Sequence, residues 1–148
     1  MSKATDRFYK SRAWFYFSRV VLLKKARLTS GGLMCKCTTC GAFHPLNSKQ
    51  MQAGHYRKVF DANTSNFATA FDERNVFPQC MRCNKYRGGA MDEASLYIEE
   101  TYGLGTCAEL IRKSKNPTKL DVLFLENIKE IYKGMYKKLI KIKGNPWG

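Results

Sequence analysis

Two Cys-x-x-Cys pairs, Cys37/Cys40 in CTTC and Cys80/Cys83 in CMRC, constrain this chain more than any other feature. A structural zinc ion wants four ligands in a tetrahedron, and one tight turn with cysteines at this spacing supplies two of them. A second such turn supplies the rest, and two pairs in so short a chain form a specific pattern. The expected cofactor is Zn²⁺ on Cys37, Cys40, Cys80 and Cys83, acting as a staple across the segment between the pairs. The spacing leaves Cys35 spare, and Cys107 reads as a small buried hydrophobe. Free thiols or disulfides are the rival readings. The N-terminal MSKATDRFYKSRAWFYFSRVV has scattered charges and no small-residue cleavage site, unlike a secretory signal. Thiolates on metal are therefore expected over disulfides, in a cytoplasmic setting.

A chain of 148 residues is the size of one domain, here 1–148. Its 26 basic residues against 12 acidic ones leave a net charge of +14. Such an imbalance repels itself in the folded state and marks an acidic partner, nucleic acid before an anionic membrane surface. No apolar run reaches the roughly 18 residues that a membrane-spanning helix needs.

Apolar residues at helical spacing (Phe8, Trp14, Phe15, Phe17, Val21, Leu22) alternate with lysines and arginines, predicting a basic amphipathic helix over 8–28. Packing of one face with the charges solvated accounts for it, and phosphate contacts are compatible with that packing. A zinc-stapled core follows over 33–90, with short extended pieces at Met51–Tyr56 and Asn75–Phe77. The polar, turn-rich stretch from Phe60 to Ala70 reads as a loop, and its Asn63-Thr64-Ser65 matches a glycosylation sequon by chance. A helical part follows over 91–143. Asp92 caps a helix from about Glu93 to Tyr102, a short helix reaches Lys113, and Thr118 begins a long last helix. The broad stripe on that helix (Leu120, Leu123, Phe124, Ile128, Ile131, Tyr132, Met135, Leu139, Ile140) serves the core or a dimer seam.

His55, in QAGHY, lies between the two cysteine pairs on a predicted strand. His44 precedes Pro45 near the first knuckle and carries no assigned chemistry. Phosphodiester hydrolysis needs a base for water, a cation for the phosphate, and a frame for both. A histidine can be that base. Mg²⁺ or Mn²⁺ prefers oxygen ligands, and Asn84, directly after Cys83, offers one whose position the knuckle would fix. Asn75 could orient the histidine ring by accepting from a ring nitrogen. Asp72, in FDERN, could serve the cation or cap a turn. Arg57 and Lys58 beside the histidine, and Arg82, Lys85 and Arg87 around the second knuckle, could clamp phosphates without reading sequence.

CTTCG, QAGHY, FDERN, QCMRCN and the glycines that follow resemble the phage NinG/Rap family of recombination nucleases. The likeness covers most of residues 10–112 and is most specific from Gln52 to Gly89. More broadly it is similar to zinc-stapled HNH (His-Me finger) endonucleases, and the CN ending of CMRCN to the endonuclease VII type of Holliday-junction resolvase. The resemblance implies an α+β fold with a ββα-metal core: a hairpin carrying His55, a loop, and a helix carrying Asn84, flanked by N- and C-terminal helices. It implies metal-dependent cleavage of branched DNA in a phage or prophage setting. His55 would be general base, Asn75 the middle asparagine and Asn84 the ligand of the catalytic cation. Many HNH enzymes place Asp or His directly before the catalytic histidine as a second ligand. This chain has Gly54 there, leaving Asp72, Asp61 or Gln52 as candidates.

The leading expectation is thus a structure-specific DNA endonuclease, with a homodimer implied by paired cuts at a four-way junction. Two rivals stay open. One is a non-catalytic zinc-finger DNA-binding protein. The other is an HNH nickase, homing or packaging nuclease acting on linear duplex.

Overall fold

A computed structural model describes residues 2–61 and 64–148. Two residues of the loop expected over 60–70, including Asn63 of the sequon, lie outside the described residues. The fold is mixed α+β, with three small antiparallel sheets between N- and C-terminal helices.

The basic N-terminal segment forms two helices where one was expected. α1 (Lys3–Lys10) and α2 (Arg12–Lys25) meet at Ser11, whose backbone is extended and whose hydroxyl accepts from the Trp14 amide. A serine that satisfies an orphan amide starts a new helix better than it continues an old one. α2 ends at Lys25, and the chain passes straight into a strand rather than staying helical to residue 28. β1 (Arg27–Thr29), β2 (Gly32–Lys36) and β3 (Phe43–Pro45) form the first sheet.

The central ladder pairs β4 (Met51–His55) with β7 (Val76–Cys80), in register Met51↔Cys80, Gln52↔Gln79, Gly54↔Phe77 and His55↔Val76. β4 matches the extended piece read over Met51–Tyr56 to within a residue, whereas β7 begins one residue after Asn75 and runs on through Pro78 to Cys80, beyond the piece expected over Asn75–Phe77. Between them lie the short pair β5 (Phe60–Asp61) and β6 (Thr64–Ser65) and two 3₁₀ turns, Phe67–Thr69 and Glu73–Asn75. A single π-helical turn, Arg82–Tyr86, follows β7.

α3 (Met91–Tyr102) begins after Ala90, a left-handed residue at φ 47° with no side-chain cap. Asp92 therefore sits in the first turn, favoured there by the helix dipole, rather than at the cap. α4 (Thr106–Ser114) matches the short helix expected. α5 (Val122–Lys143) begins four residues later than Thr118, because the Asp121 carboxylate accepts from the Phe124 amide and caps it. Most of the α5 stripe packs along α2, but Leu123 and Ile131 remain exposed.

Phe17 is fully buried at the centre of that packing, edge-on to Tyr132 at 4.7 Å and to Phe71 at 5.3 Å. Truncating a buried aromatic removes burial energy and leaves a cavity. Phe17→Ala should lower unfolding free energy by about 3–5 kcal/mol, read by urea denaturation.

Candidate active site and metal centre

The two knuckles meet as their spacing predicts. The four Sγ atoms of Cys37, Cys40, Cys80 and Cys83 all lie within 4.8 Å of one another, with Cys40 and Cys80 at 3.7 Å. Sulfurs about 2.3 Å from a tetrahedral zinc stand ~3.8 Å apart, so the cluster could hold that ion. Backbone bonds fix the approach: Thr38 donates to the Pro78 carbonyl at 2.9 Å, and Met81 to Gln50 at 2.8 Å. Burial raises the Cys37 thiol, but the Thr39 hydroxyl and nearby amides outweigh it and bring it down to about 6. A thiol that ionises readily is ready to bind metal. Cys35 stands apart: it is fully buried, donates to the Leu22 carbonyl, and is pushed up to about 11 by burial. His44 lies opposite Cys35 on β3, outside the cluster, and Cys107 packs under α3 and α4 as a buried thiol.

His55 ends β4. Its Nε2 lies 3.0 Å from the Ala70 carbonyl, which can only accept. Nε2 therefore carries the proton and Nδ1 is the basic nitrogen. Trp14 stacks on the ring at 5.0 Å, with Phe8 at 6.0 Å. Burial among these aromatics lowers the imidazole to about 4, against a smaller upward pull from the Ala70 carbonyl. The ring is neutral at pH 7.

Asn75 acts differently from expectation. Its carboxamide does not touch the histidine ring. Oδ1 accepts from the Arg57 amide at 2.7 Å, and Nδ2 donates to the carbonyls of Arg57 and Thr69. It is fully buried at the head of β7, where the returning loop's polar backbone must be satisfied. By holding Thr69 it holds the neighbouring Ala70 carbonyl, so its influence on His55 passes through the loop.

Asn84 sits on the π-helical turn directly after Cys83. It lines a cavity of about 360 Å³ with His55, Ala53, Lys58 and Tyr9, and a second of about 540 Å³ with Gln52, Lys85 and Arg19. Its orientation follows from a relay. Gln52 Nε2 donates to the Lys49 carbonyl, so Gln52 Oε1 must accept from Asn84 Nδ2 at 2.8 Å, leaving Asn84 Oδ1 free to accept. Gln52, a candidate second ligand, thus orients the first one instead.

Neither acidic candidate joins them. Asp72 caps the turn at Glu73–Asn75 and binds Arg74 at 2.9 Å and Lys113 at 2.8 Å. Burial raises its carboxyl, but these cations and the Arg74 amide prevail and take it to about 2. Its oxygens are committed to this network, the turn-residue alternative. Asp61 is exposed on β5 and borders a different cavity, with Ser65 and Lys115.

The basic residues divide. Lys58 and Lys85 line the two cavities that share Asn84. Arg82 is exposed on the π-helical turn. Arg87 pairs with Glu93 at 2.6 Å and reaches Cys83 Sγ, while Arg57 turns to Ser114.

Sequence reading missed Gln79. It is fully buried on β7, its Nε2 donating to the Gly89 carbonyl at 2.7 Å and the Thr39 hydroxyl at 3.2 Å. Its Oε1 is buried without a hydrogen-bond partner among the described residues. A Cβ on Gly54 would press on that oxygen and stand 3.1 Å from Asn84 Oδ1, so the Gln79 side chain in this position requires a glycine at 54. Two amide oxygens turned to one spot suit a hard cation, which takes oxygen ligands.

Two measurements test this geometry. Metal analysis should show stoichiometric zinc in the parent and Cys35→Ser proteins, and its loss in Cys80→Ser. His55 has a folded pKa below its unfolded value of about 6.5, so it contributes stability above that pH. That contribution should fall away as pH drops through about 4, read by denaturation at stepped pH against a His55→Gln protein that lacks this slope.

Comparison with known proteins places the chain. The family model described as "Bacteriophage Lambda NinG protein" matches residues 10–142. The chain is 34% identical over 74 residues to "Protein ninG" of Salmonella phage P22, covering 50% of this chain and 33% of that protein. It is 42% identical over 53 residues to "Protein ninG" of Escherichia phage 933W, covering 36% of this chain and 23% of that one. The chain thus spans a third or less of the length of these curated relatives. No solved structure matches. No helix among the described residues is long and apolar enough to cross a membrane. With the family match running from the last residue of α1 almost to the end of α5, the chain belongs to the bacteriophage NinG family.

Proposed function

We propose that this chain is a metal-dependent DNA endonuclease of the His-Me finger type, acting on branched recombination intermediates. The carrying observation is that His55 and Asn84 line one cavity, with the ring's proton fixed on Nε2 and Lys58 beside it. The antiparallel ladder of β4 and β7 leading into Asn84 supports this reading, with a single π-helical turn standing where a helix was expected. The charge of +14 supports a polyanionic substrate.

His55 Nδ1 takes a proton from a water molecule as its oxygen bonds to phosphorus, and the bond from phosphorus to the leaving oxygen breaks. That oxygen takes up a proton from solvent water, while the imidazolium later returns its own to solvent. Burial alone would make this ring a weak base. A phosphate anion in the cavity raises its proton affinity, because a nearby negative charge favours imidazolium. Trp14 and the Ala70 carbonyl keep the ring from turning. Asn84 Oδ1 would hold a Mg²⁺ or Mn²⁺ ion, which when bound offsets the developing charge on the phosphate. Lys58 and Lys85 position the strand by contacts that carry no sequence information. Paired cuts at a symmetric junction need two such sites, hence a dimer.

His55→Ala should lose cleavage by at least about a hundredfold, the contribution of a general base, while retaining DNA binding. The assay compares a four-way junction, a flap and a linear duplex with Mg²⁺ or Mn²⁺, beside a gel-shift titration. Full cutting by His55→Ala would overturn the assignment. Binding without cutting by the parent protein would favour a zinc-stapled DNA-binding protein, and preference for linear duplex a nuclease of another role.

A further inference from the structure

We infer that Gln79 is the second protein ligand of the divalent cation, replacing the acidic side chain that Gly54 lacks. The inference rests on the Asn84 metal site proposed above and names its missing partner.

Three observations carry it. First, Gln79 Oε1 is a buried carbonyl oxygen with no donor among the described residues. Leaving such an atom unpaired forfeits its hydration, so it calls for a ligand. Second, its direction is fixed. Turning the amide over would put its oxygen against the Gly89 carbonyl, acceptor facing acceptor, where Nε2 now donates at 2.7 Å. Third, that oxygen and Asn84 Oδ1 lie within 3.1 Å of the same point, the place a Gly54 side chain would fill. The Lys49–Gln52–Asn84 relay turns Asn84 Oδ1 toward that place independently.

The substitution is one of strand rather than of chemistry. A side chain at position 54 would approach the ion from β4. Gln79 approaches the same spot from β7, two residue pairs along the ladder and so on the same face, where Gln52 is its partner. Removing the Cβ at 54 is what lets the Gln79 oxygen reach so far. Both ligands are then neutral amides, so the site holds a cation weakly until a phosphate oxygen joins them. Gln79 also spans the zinc knuckle through Thr39 and the turn after Cys83 through Gly89. Its oxygen is thereby held by the same cysteines that hold Asn84.

The test reads binding, not cleavage. Mn²⁺ is added in small amounts to the ¹⁵N-labelled, zinc-loaded full chain, and paramagnetic broadening of side-chain amide signals is followed. Gln79 and Asn84 should broaden first, ahead of other amides. Gln79→Leu should weaken Mn²⁺ binding at Asn84 by at least about tenfold. Gln79→Glu keeps an oxygen there, adds charge and loses the two donated bonds, and should bind Mn²⁺ more tightly than the parent. Gly54→Asp with Gln79→Ala, which moves the ligand to β4, should restore binding that Gln79→Ala alone loses. Parent-like binding by Gln79→Leu would overturn the inference, as would a fall in Gln79→Glu equal to that in Gln79→Leu, which marks a structural role only. A protein that binds Mn²⁺ through Gln79 yet cuts no DNA keeps this inference and removes the nuclease reading. Cleavage by a protein whose Mn²⁺ binding ignores Gln79 does the reverse.

Discussion

The four thiols of Cys37, Cys40, Cys80 and Cys83 draw the end of β2, the end of β7 and the π-helical turn to one point. β2 and β7 belong to different sheets, and besides the thiols they are joined by the Thr38 amide on the Pro78 carbonyl, by Gln79 on the Thr39 hydroxyl, and by the packing of Leu33, Leu46 and Met51 around the cysteines. The turn Arg82–Tyr86 is too short to be stable on its own. Everything at the candidate cation site hangs from this cluster. Asn84 follows Cys83 directly, and Gln79 precedes Cys80 and reaches Thr39 inside the first knuckle. A zinc ion that performs no step would still decide where the oxygens stand.

The two faces of β4 separate two chemical environments. Side chains alternate along a strand, so Ala53 and His55 face α2 while Gln52 and Gly54 face the second knuckle. On the first face the imidazole lies under Trp14 and Phe8, kept neutral by the loss of water. On the second, amide groups pass hydrogen bonds in fixed directions and leave two oxygens free. The proposed base would thus lie on the apolar side of one strand and the proposed cation ligands on its polar side. The loop from Tyr56 to Asn75 completes the arrangement, since the Asn75 carboxamide closes it and its Ala70 carbonyl fixes the tautomer.

Legibility followed the range over which each residue acts. The cysteine pairs, the strand at Met51–His55, the start of the one at Val76–Cys80, and the helices near Glu93–Tyr102 and Thr106–Ser114 were readable, because short-range spacing and turn residues specify them, while Pro78 masked the strand's continuation to Cys80. Ser11 could have been read as a cap, with Trp14 three residues on, but the apolar spacing ran through it and masked the break. The division of labour among polar residues was not readable. Asp72 was open to reading as a ligand or as a turn cap, and only the fold shows Arg74 and Lys113 claiming its oxygens. Gln52 and Asn75 became positioning groups rather than a ligand and a ring partner.

By itself the sequence determined the two cysteine knuckles, the strongly positive charge, the candidate base and one candidate ligand, since each depends on residue type and local spacing. The tertiary structure alone decided which oxygens face the space beside Gly54. A glutamine on a buried strand has no visible role until the register is known. Pairing Gln52 with Gln79 and Gly54 with Phe77 brings a β7 amide to the gap left in β4. Register joins residues far apart in the chain, and no local pattern encodes it.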